Sequence, residues 1–416
     1  DECHMNYHFP IMPRLFMSVK MEDRYPIIDI FAQTPAIPET CQWAMFLRNH
    51  DELTLEMVTD EERDYMYKVY TRDPMAKINL GIRHRLAPLL GNDRARIELM
   101  NVLLFSMRGT PVVYYGDEIG MGDNYYLGDR DGVRTPMQWN DNRNAGFSTS
   151  NPQKLYLPVI IDPEYKYESV NVETQQHNSS SLLWWMRRVI NMRKRYKAFG
   201  RGTMQFLNPS NSKVLAFVRS YQDENILVIA NLSRFPEAVE LELPEFKGYV
   251  PVEVFSRNRF PQVKDDTYLF TMSAHGYYWF ELQPQEVSGR EGLDMEKPAM
   301  QLPSLSHALP ARALKTLETK VLPPYILNRR WFGGKARTIQ RMQVVSNMPM
   351  TAGRFAASLL FIEVSYNEGL PELYQLPIAF ASGELEEELI SDQPNSVIAR
   401  VSLDGKEGIL YDAVYS

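Results

Sequence analysis

The residues best suited by type and spacing to do chemistry stand together at Asn49-His50-Asp51, with Glu52 next. They follow the apolar run Cys41–Met45, which continues through Phe46, Leu47 and Arg48. This stretch reads as a buried strand that stops abruptly on polar groups. A strand cannot bury a His-Asp pair without partners. An apolar strand that delivers polar side chains at its C-terminal end is how an α/β barrel builds an active site. The triplet alone reads equally well as a solvated loop after a core strand.

The pattern recurs. Val112-Val-Tyr-Tyr115 reads as a second buried parallel strand, closed by Gly116-Asp117-Glu118. A third cluster, Arg134-Thr-Pro-Met-Gln-Trp139, is followed by Asn144-Ala-Gly-Phe147. Each alone could be turn chemistry, and Met137 and Trp139 read as packing residues rather than chemistry.

The elements that must position these groups can be read in order. A strand at His4–Phe9 leads to helices around Arg14–Lys20 and Ile28–Gln33. The strand at 42–48 follows. Thr59-Asp-Glu-Glu62 gives a capping-box pattern ahead of Tyr65–Tyr70. Residues 71–91 read as irregular and basic, with Arg83, His84 and Arg85 together. Asn92-Asp93 caps an amphipathic helix, Arg94–Met107. A strand at 111–115 precedes a long connection, 120–178, of a length that usually carries function. A helix, Leu182–Lys197, closes this part. From 203 to 283 short alternating segments recur at Val214–Arg219, Ile226–Asn231, Val239–Leu243, Tyr268–Met272 and Tyr277–Leu282, which predicts an antiparallel β domain. Residues 285–312 read as a linker. Beyond it a helix near Leu314–Tyr325 leads to Arg330-Trp-Phe-Gly-Gly-Lys335, then to strand-like runs at Ser358–Tyr366, Glu372–Phe380 and Val397–Val401. Tyr411–Ser416 also reads as strand. The expected domains are thus 1–200, 201–284 and 313–416, of classes α/β, all-β and small α+β.

The chain has 416 residues, 44% of them hydrophobic and 23% charged, so it has the composition of an ordinary globular protein. Its formal net charge of −7 disfavours nucleic acid and anionic membrane as partners. Cys3 and Cys41 form no disulfide or zinc spacing, and a reducing, cytoplasmic location fits them. No apolar run reaches membrane-spanning length, and no signal peptide is visible.

Taken in order, the three motifs resemble the C-terminal half of the α-amylase superfamily barrel. Asn49-His50-Asp51 looks like the end of its seventh strand and Tyr115-Gly-Asp-Glu118 like the end of its eighth. Arg134-Thr-Pro-Met-Gln-Trp139 resembles the branch of oligo-1,6-glucosidases, sucrose isomerases and trehalose synthases. Phe46–Arg63, Gly116–Asp123 and Leu182–Arg188 narrow this to the trehalose synthase family. The resemblance covers about 1–283. Arg329–Ala336 resembles the N-terminal cap of maltokinases, the order of a trehalose synthase–maltokinase fusion.

The resemblance implies a retaining glucosyl transfer that interconverts maltose and trehalose, with glucose held in the pocket between steps. It implies that Asp51 stabilises the transition state, that His50 binds the sugar hydroxyls, and that Arg134 lies near the leaving sugar. The family's nucleophile and acid come from its fourth and fifth strands. Neither motif is found here, so this chain is expected to be inactive alone and to need the missing N-terminal barrel half. Asp117, Glu118, Asp129 and Asp131 read as loop or structural carboxylates rather than stand-ins. No cofactor or metal is assigned to these residues, and a calcium ion in the full-length parent would take its ligands outside them. The parent is expected to be a homo-oligomer. Two alternatives stay open. One is an α-glucosidase or sucrose-isomerase-type enzyme of the same superfamily. The other is a non-catalytic carbohydrate-binding piece using Phe255, Phe260, Tyr277, Tyr278 and Trp279, which requires Trp279 to be exposed.

Overall fold

The computed structural model describes residues 3–284, 300–302, 305, 309–327, 329, 331–336, 339–352, 355–366 and 371–415. The chain divides into two units, 1–285 and 286–416.

The first unit begins with three parallel strands, β1 (Met5–Tyr7), β2 (Gln42–Phe46) and β6 (Thr110–Val112), with β2 in the centre. They answer the three strands expected near 4–9, 42–48 and 111–115, adjacent and parallel, but the third is Thr110–Val112 and half-buried, so Val113–Tyr115 of the run read as a buried strand lie beyond it. Helices α1 (Ile11–Met21) and α2 (Tyr25–Gln33) connect β1 to β2. Between β2 and β6 lie β3 (Leu53–Thr54), α3 (Asp60–Tyr70), β4 (Lys77–Ile78), β5 (Gly81–Ile82), α4 (Leu86–Leu89) and α5 (Arg94–Ser106). Residues 71–91, read as irregular, therefore carry β4 and β5, which pair with β3 in a small sheet of order β3-β5-β4, and the short helix α4. Thr59 and Glu62 form the reciprocal capping box of α3, and Asp93 caps α5.

After the long connection come α6 (Val172–Gln176), α7 (Leu182–Arg195) and α8 (Lys197–Arg201), then a five-stranded sheet in the order β11-β13-β9-β8-β7. Its strands are β7 (Thr203–Phe206), β8 (Val214–Tyr221), β9 (Glu224–Asn231), β11 (Tyr249–Glu253) and β13 (Tyr277–Pro284). A hairpin-like pair, β10 (Glu237–Leu241) and β12 (Tyr268–Met272), covers one face. Every residue of β8 from Val214 to Arg219 is buried, because both faces of this strand are covered. Leu215 and Phe217 join the helix-side core, while Val214, Ala216 and Val218 face the β10–β12 pair. Trp279 is fully buried on the helix side, its ring 4.4 Å from that of Phe199.

The second unit is a six-stranded sheet in the order β14-β18-β19-β17-β16-β15. Its elements are β14 (Met300–Leu302), α9 (Ala311–Thr316), α10 (Leu322–Leu327), β15 (Ile339–Ala352), β16 (Phe355–Tyr366), β17 (Glu372–Ala381), α11 (Glu384–Asp392), β18 (Val397–Leu403) and β19 (Lys406–Asp412). The stretch read as a linker, 285–312, thus holds a strand that pairs with β18. Its residues 285–299, 303–304 and 306–308 lie outside the described residues, as does Arg330 of the Arg330–Lys335 motif. The strand read at 411–416 ends at Asp412, and Ala413–Tyr415 is a 3-10 turn. Gly334 is demanded by a close approach: a Cβ there would stand 2.3 Å from the Tyr366 hydroxyl, which donates to Glu372.

Candidate active site at the C-terminal end of the parallel sheet

Burial along β2 rises toward its end, with Ala44 through Arg48 all buried, and the chain then opens at half-buried Asn49, exposed His50 and half-buried Asp51. The turn that presents Asp51 is held from both sides. The Asn49 side-chain carbonyl accepts from the Asp51 N–H at 2.9 Å. Beneath it, Arg48 is 1% exposed. Its Nη2 donates to the Asp51 carbonyl at 2.5 Å and its Nε to the His84 carbonyl at 2.6 Å. Burial, more than the opposing pull of Asp117 and Asp123, lowers the Arg48 pKa to about 10, so it keeps its charge at neutral pH.

Arg134 closes the turn from the other side. Its Nη2 donates to Asp51 Oδ1 at 2.9 Å and its Nε to the His50 carbonyl at 2.8 Å. The two tyrosines that follow β6 set this position. Tyr114 donates to the Val133 carbonyl at 2.9 Å and Tyr115 to the Thr135 carbonyl at 2.6 Å, bracketing Arg134. His50 Nε2 lies 3.3 Å from Asp51 Oδ2, and Arg130 Nε lies 3.4 Å from Asp51 Oδ1. The structure therefore brings together all three residues singled out in the sequence, His50, Asp51 and Arg134, and adds Arg130 and Arg48. A planar guanidinium fork on one carboxylate oxygen and an imidazole near the other leave a polar, solvent-reached surface suited to hydroxyl-rich ligands.

A cleft of about 570 Å³ adjoins this cluster, walled by Tyr115, Glu118, Arg134, Trp139, Phe147 and Tyr156 among others. Met137 is buried, as a packing residue should be, but Trp139 is exposed and lines the cleft. Arg134 belongs to both the cleft and the Asp51 cluster. Burial raises the pKa of Glu118, whose Oε2 accepts from the Gly116 N–H at 2.7 Å. Gly116 sits at φ 88, and a Cβ there would meet the Met121 sulfur at 2.6 Å.

Below the site lies a buried ionic layer assembled from residues far apart in the chain. His84 Nδ1 lies 3.0 Å from both oxygens of Asp123, which also accepts from the Arg85 N–H at 2.6 Å. Arg85 is fully buried, stacks over Tyr114 and Tyr115, and donates to the Tyr115 carbonyl at 2.5 Å. Asp117 is 4% exposed and its Oδ1 has no hydrogen-bond partner. Burial pushes its pKa up to about 7 against the pull of Arg85 and Arg48. Asp129 and Asp131 lie on the rim near Arg130 and Arg134. The local signals for this layer were the basic run Arg83-His84-Arg85 and the acidic stretch Gly116–Asp123, and nothing in the sequence paired the two. Among the described residues no group of three or more His, Cys, Asp or Glu side chains is placed to hold a metal ion.

Three parallel strands bearing polar groups at their C-terminal ends, followed by a β-sandwich, define a segment of an α-amylase-type glycosidase barrel with its C-terminal domain. Family models agree. Residues 83–202 match the alpha amylase catalytic domain, 204–279 the maltogenic amylase C-terminal domain, and 325–415 the maltokinase N-terminal cap domain. Trehalose synthase of Pimelobacter sp. (strain R48) is 58% identical over 293 residues, 70% of this chain and 51% of that protein. Trehalose synthase/amylase of Mycobacterium tuberculosis (strain H37Rv) is 57% identical over 290 residues, 69% of this chain and 48% of that protein. Trehalose synthase of Thermus thermophilus is 52% identical over 69% of this chain and 30% of that protein. About the first 70% of the chain is thus similar to trehalose synthases, within it 83–202 match an alpha amylase catalytic domain, and 325–415 are similar to a maltokinase-type cap. It spans about half the length of the first relatives it matches.

Proposed function

We propose that this chain is part of a trehalose synthase, a maltose α-D-glucosyltransferase that interconverts maltose and trehalose by intramolecular glucosyl transfer with retention. The observation that carries the reading is Arg134, which binds Asp51 at 2.9 Å and at the same time walls the adjoining cleft. On this reading Asp51 and His50 hold hydroxyls of the glucosyl ring being transferred, and their bonds strengthen as the ring flattens toward an oxocarbenium ion. Arg134 orients the leaving sugar, which stays in the aromatic-walled cleft and re-attacks through its anomeric hydroxyl. Isomerisation then outruns hydrolysis to the extent that water is kept out. The attacking carboxylate and the proton donor come from a part of the whole protein beyond this chain. Asp117, Glu118, Asp129 and Asp131 are already committed to burial, the Gly116 turn or rim ion pairs. The relatives favour trehalose synthase over an α-glucosidase or sucrose isomerase. Burial of Trp279 removes the exposed platform that a carbohydrate-binding piece needs.

The test uses the full-length protein given maltose. Asp51→Asn keeps size and hydrogen-bonding capacity but removes the charge. Turnover per folded molecule should fall by several orders of magnitude, with little change in maltose binding. Near-normal turnover by a merely destabilised variant would sink the assignment. Glucose, or rearranged sucrose, as the main product of the wild type would point to the other enzymes of the branch.

A further inference from the structure

A second polar pocket, sharing no residue with the Asp51 site, lies where the C-terminal end of α1 and the first turn of α5 meet two turns of the β domain. It encloses about 70 Å³, and its polar walls are Lys20, Glu22, Tyr70, Arg96, Arg234 and His275. That is about twice the roughly 30 Å³ that a water molecule occupies in the liquid, so no sugar ring fits.

The charges here do not balance. Lys20, Arg96 and Arg234 line the pocket, and Arg72 bears on Lys20. Against these four cations stand two carboxylates, Glu22 and Asp93. Both are occupied: Glu22 accepts from the Ser233 hydroxyl and pairs with Arg234 at 3.2 Å and with a fifth cation, Lys213, at 4.0 Å, while Asp93 caps α5 through the Ala95 and Arg96 N–H groups and pairs with the Arg96 side chain at 3.7 Å, which leaves Lys20 and Arg72 as the excess. Lys20 has no ion pair or hydrogen bond among the described residues, only the Tyr70 ring 5.8 Å away. Burial lowers its pKa, and Arg96, Arg72 and Arg234 lower it further, as an uncompensated cluster of like charge must.

His275 supplies a second, independent sign of a missing ligand. It is 6% exposed, and its Nε2 accepts from Arg96 Nε at 3.3 Å. Nδ1 must therefore carry the proton in the neutral ring. That Nδ1–H is buried and has no acceptor among the described residues. A buried donor left unmet is costly, and a ligand that brings an acceptor removes the cost.

Every unmet group in the pocket is a donor or a cation. The missing ligand is thus small, carries acceptors and no donors of consequence, and bears about two negative charges. We propose that this pocket binds a phosphate-type oxyanion, either inorganic phosphate or the phosphoryl head of a phosphomonoester. The proposal does not depend on the glucosyl-transfer reading, and its test leaves that reading untouched.

The test is calorimetric titration of the full-length protein in an uncharged or cationic buffer at low ionic strength. One arm uses inorganic phosphate and the other glucose 6-phosphate, with glucose as the uncharged control. The proposal expects saturable binding of at least one phosphate probe; any glucose binding belongs to the Asp51 cleft and should be the same in the wild type and in Lys20→Gln. Lys20→Gln and Arg234→Gln each change a solvent-reached side chain, so the fold should survive, and each should weaken binding at least tenfold. Saturation by inorganic phosphate assigns the free ion; saturation by glucose 6-phosphate alone assigns a phosphomonoester. No saturable binding of either probe to folded protein overturns the proposal. So does binding that both variants leave unchanged, since the anion would then sit elsewhere.

Discussion

Arg48 shows what single residues contribute to this site beyond the groups that face the ligand. It hides under the Asn49–Asp51 turn and ties the Asp51 carbonyl to the His84 carbonyl, while Asp123 anchors His84 in turn. Lysine has the charge but not the fork, so Arg48→Lys should leave one of the two carbonyls unmet. A displacement of about 1 Å at a reacting centre can cost on the order of 10²-fold in rate. In the full-length protein the expected outcome is a fall in kcat on maltose of that order, with KM little changed and the fold intact; kcat at the wild-type level would contradict a positioning role. Asp117 adds a pH dependence. An acid whose folded pKa is raised, here from 3.8 to about 7, holds its proton more tightly when folded. Its contribution to stability is full below the ordinary value and is lost as pH rises through about 7. Between about pH 5 and about pH 8 the wild type should therefore lose melting temperature relative to Asp117→Asn, a difference that thermal scans across this range will show. His50, Asp51 and Arg134 were legible in the sequence because each sits in a contiguous motif. Arg48, His84 and Asp123 were not, because their contacts join residues 36 to 39 positions apart and no local periodicity records them.

At the scale of elements, the central strands announced themselves and the edges did not. β8 and β9 are covered on both faces and read as dense apolar runs. The two strands of this domain that the pattern missed, β7 and β11, are the two edges of the five-stranded sheet. β11 even contains Pro251, which removes a ladder donor and is tolerated on an edge. In the second unit the edges β14 and β15 were missed as well, and so was most of central β19, of which only its last two residues fell within the run read as strand at 411–416. What fastens the β domain to the helices was also invisible. Arg219 is fully buried on the helix-side face of β8 and donates to four carbonyls, those of Ser106, Phe199, Gly202 and Thr203. Arg193 likewise serves the Phe105 and Gly109 carbonyls. With no carboxylate within ion-pair distance of either among the described residues, these guanidiniums act as caps for the ends of α5 and α8. Burial accordingly lowers the Arg219 pKa to about 9. Arg219→Met would fill similar space but leave those carbonyls unmet, at roughly 1–3 kcal/mol for each group that water cannot reach. Removing an unpaired buried charge offsets part of this, so the net loss should be on the order of 3 kcal/mol. Chemical denaturation of the full-length variant measures it, and an unchanged midpoint would show that Arg219 does not join the two parts.

At the scale of the whole molecule, the three-stranded sheet of the first unit has β1 and β6 as edges with no further partner strand among the described residues, and Met5 and Tyr7 of β1 are exposed. A closed barrel of this class takes roughly 250 residues and eight strands. Its remaining strands would cover those edges and bring the reacting carboxylates over Asp51. No helix among the described residues is long and apolar enough to cross a membrane. On the proposed reading one sugar leaves, stays in the cleft beside Arg134 and returns to the same glucosyl group. The most direct measurement gives the full-length protein unlabelled maltose in the presence of excess ¹³C-labelled free glucose and follows the trehalose formed by mass spectrometry. Intramolecular transfer predicts trehalose as the main product, free of label at early times in the wild type and nearly absent with Asp51→Asn. Trehalose that carries the label in proportion to the free glucose, or glucose alone as product, would contradict it.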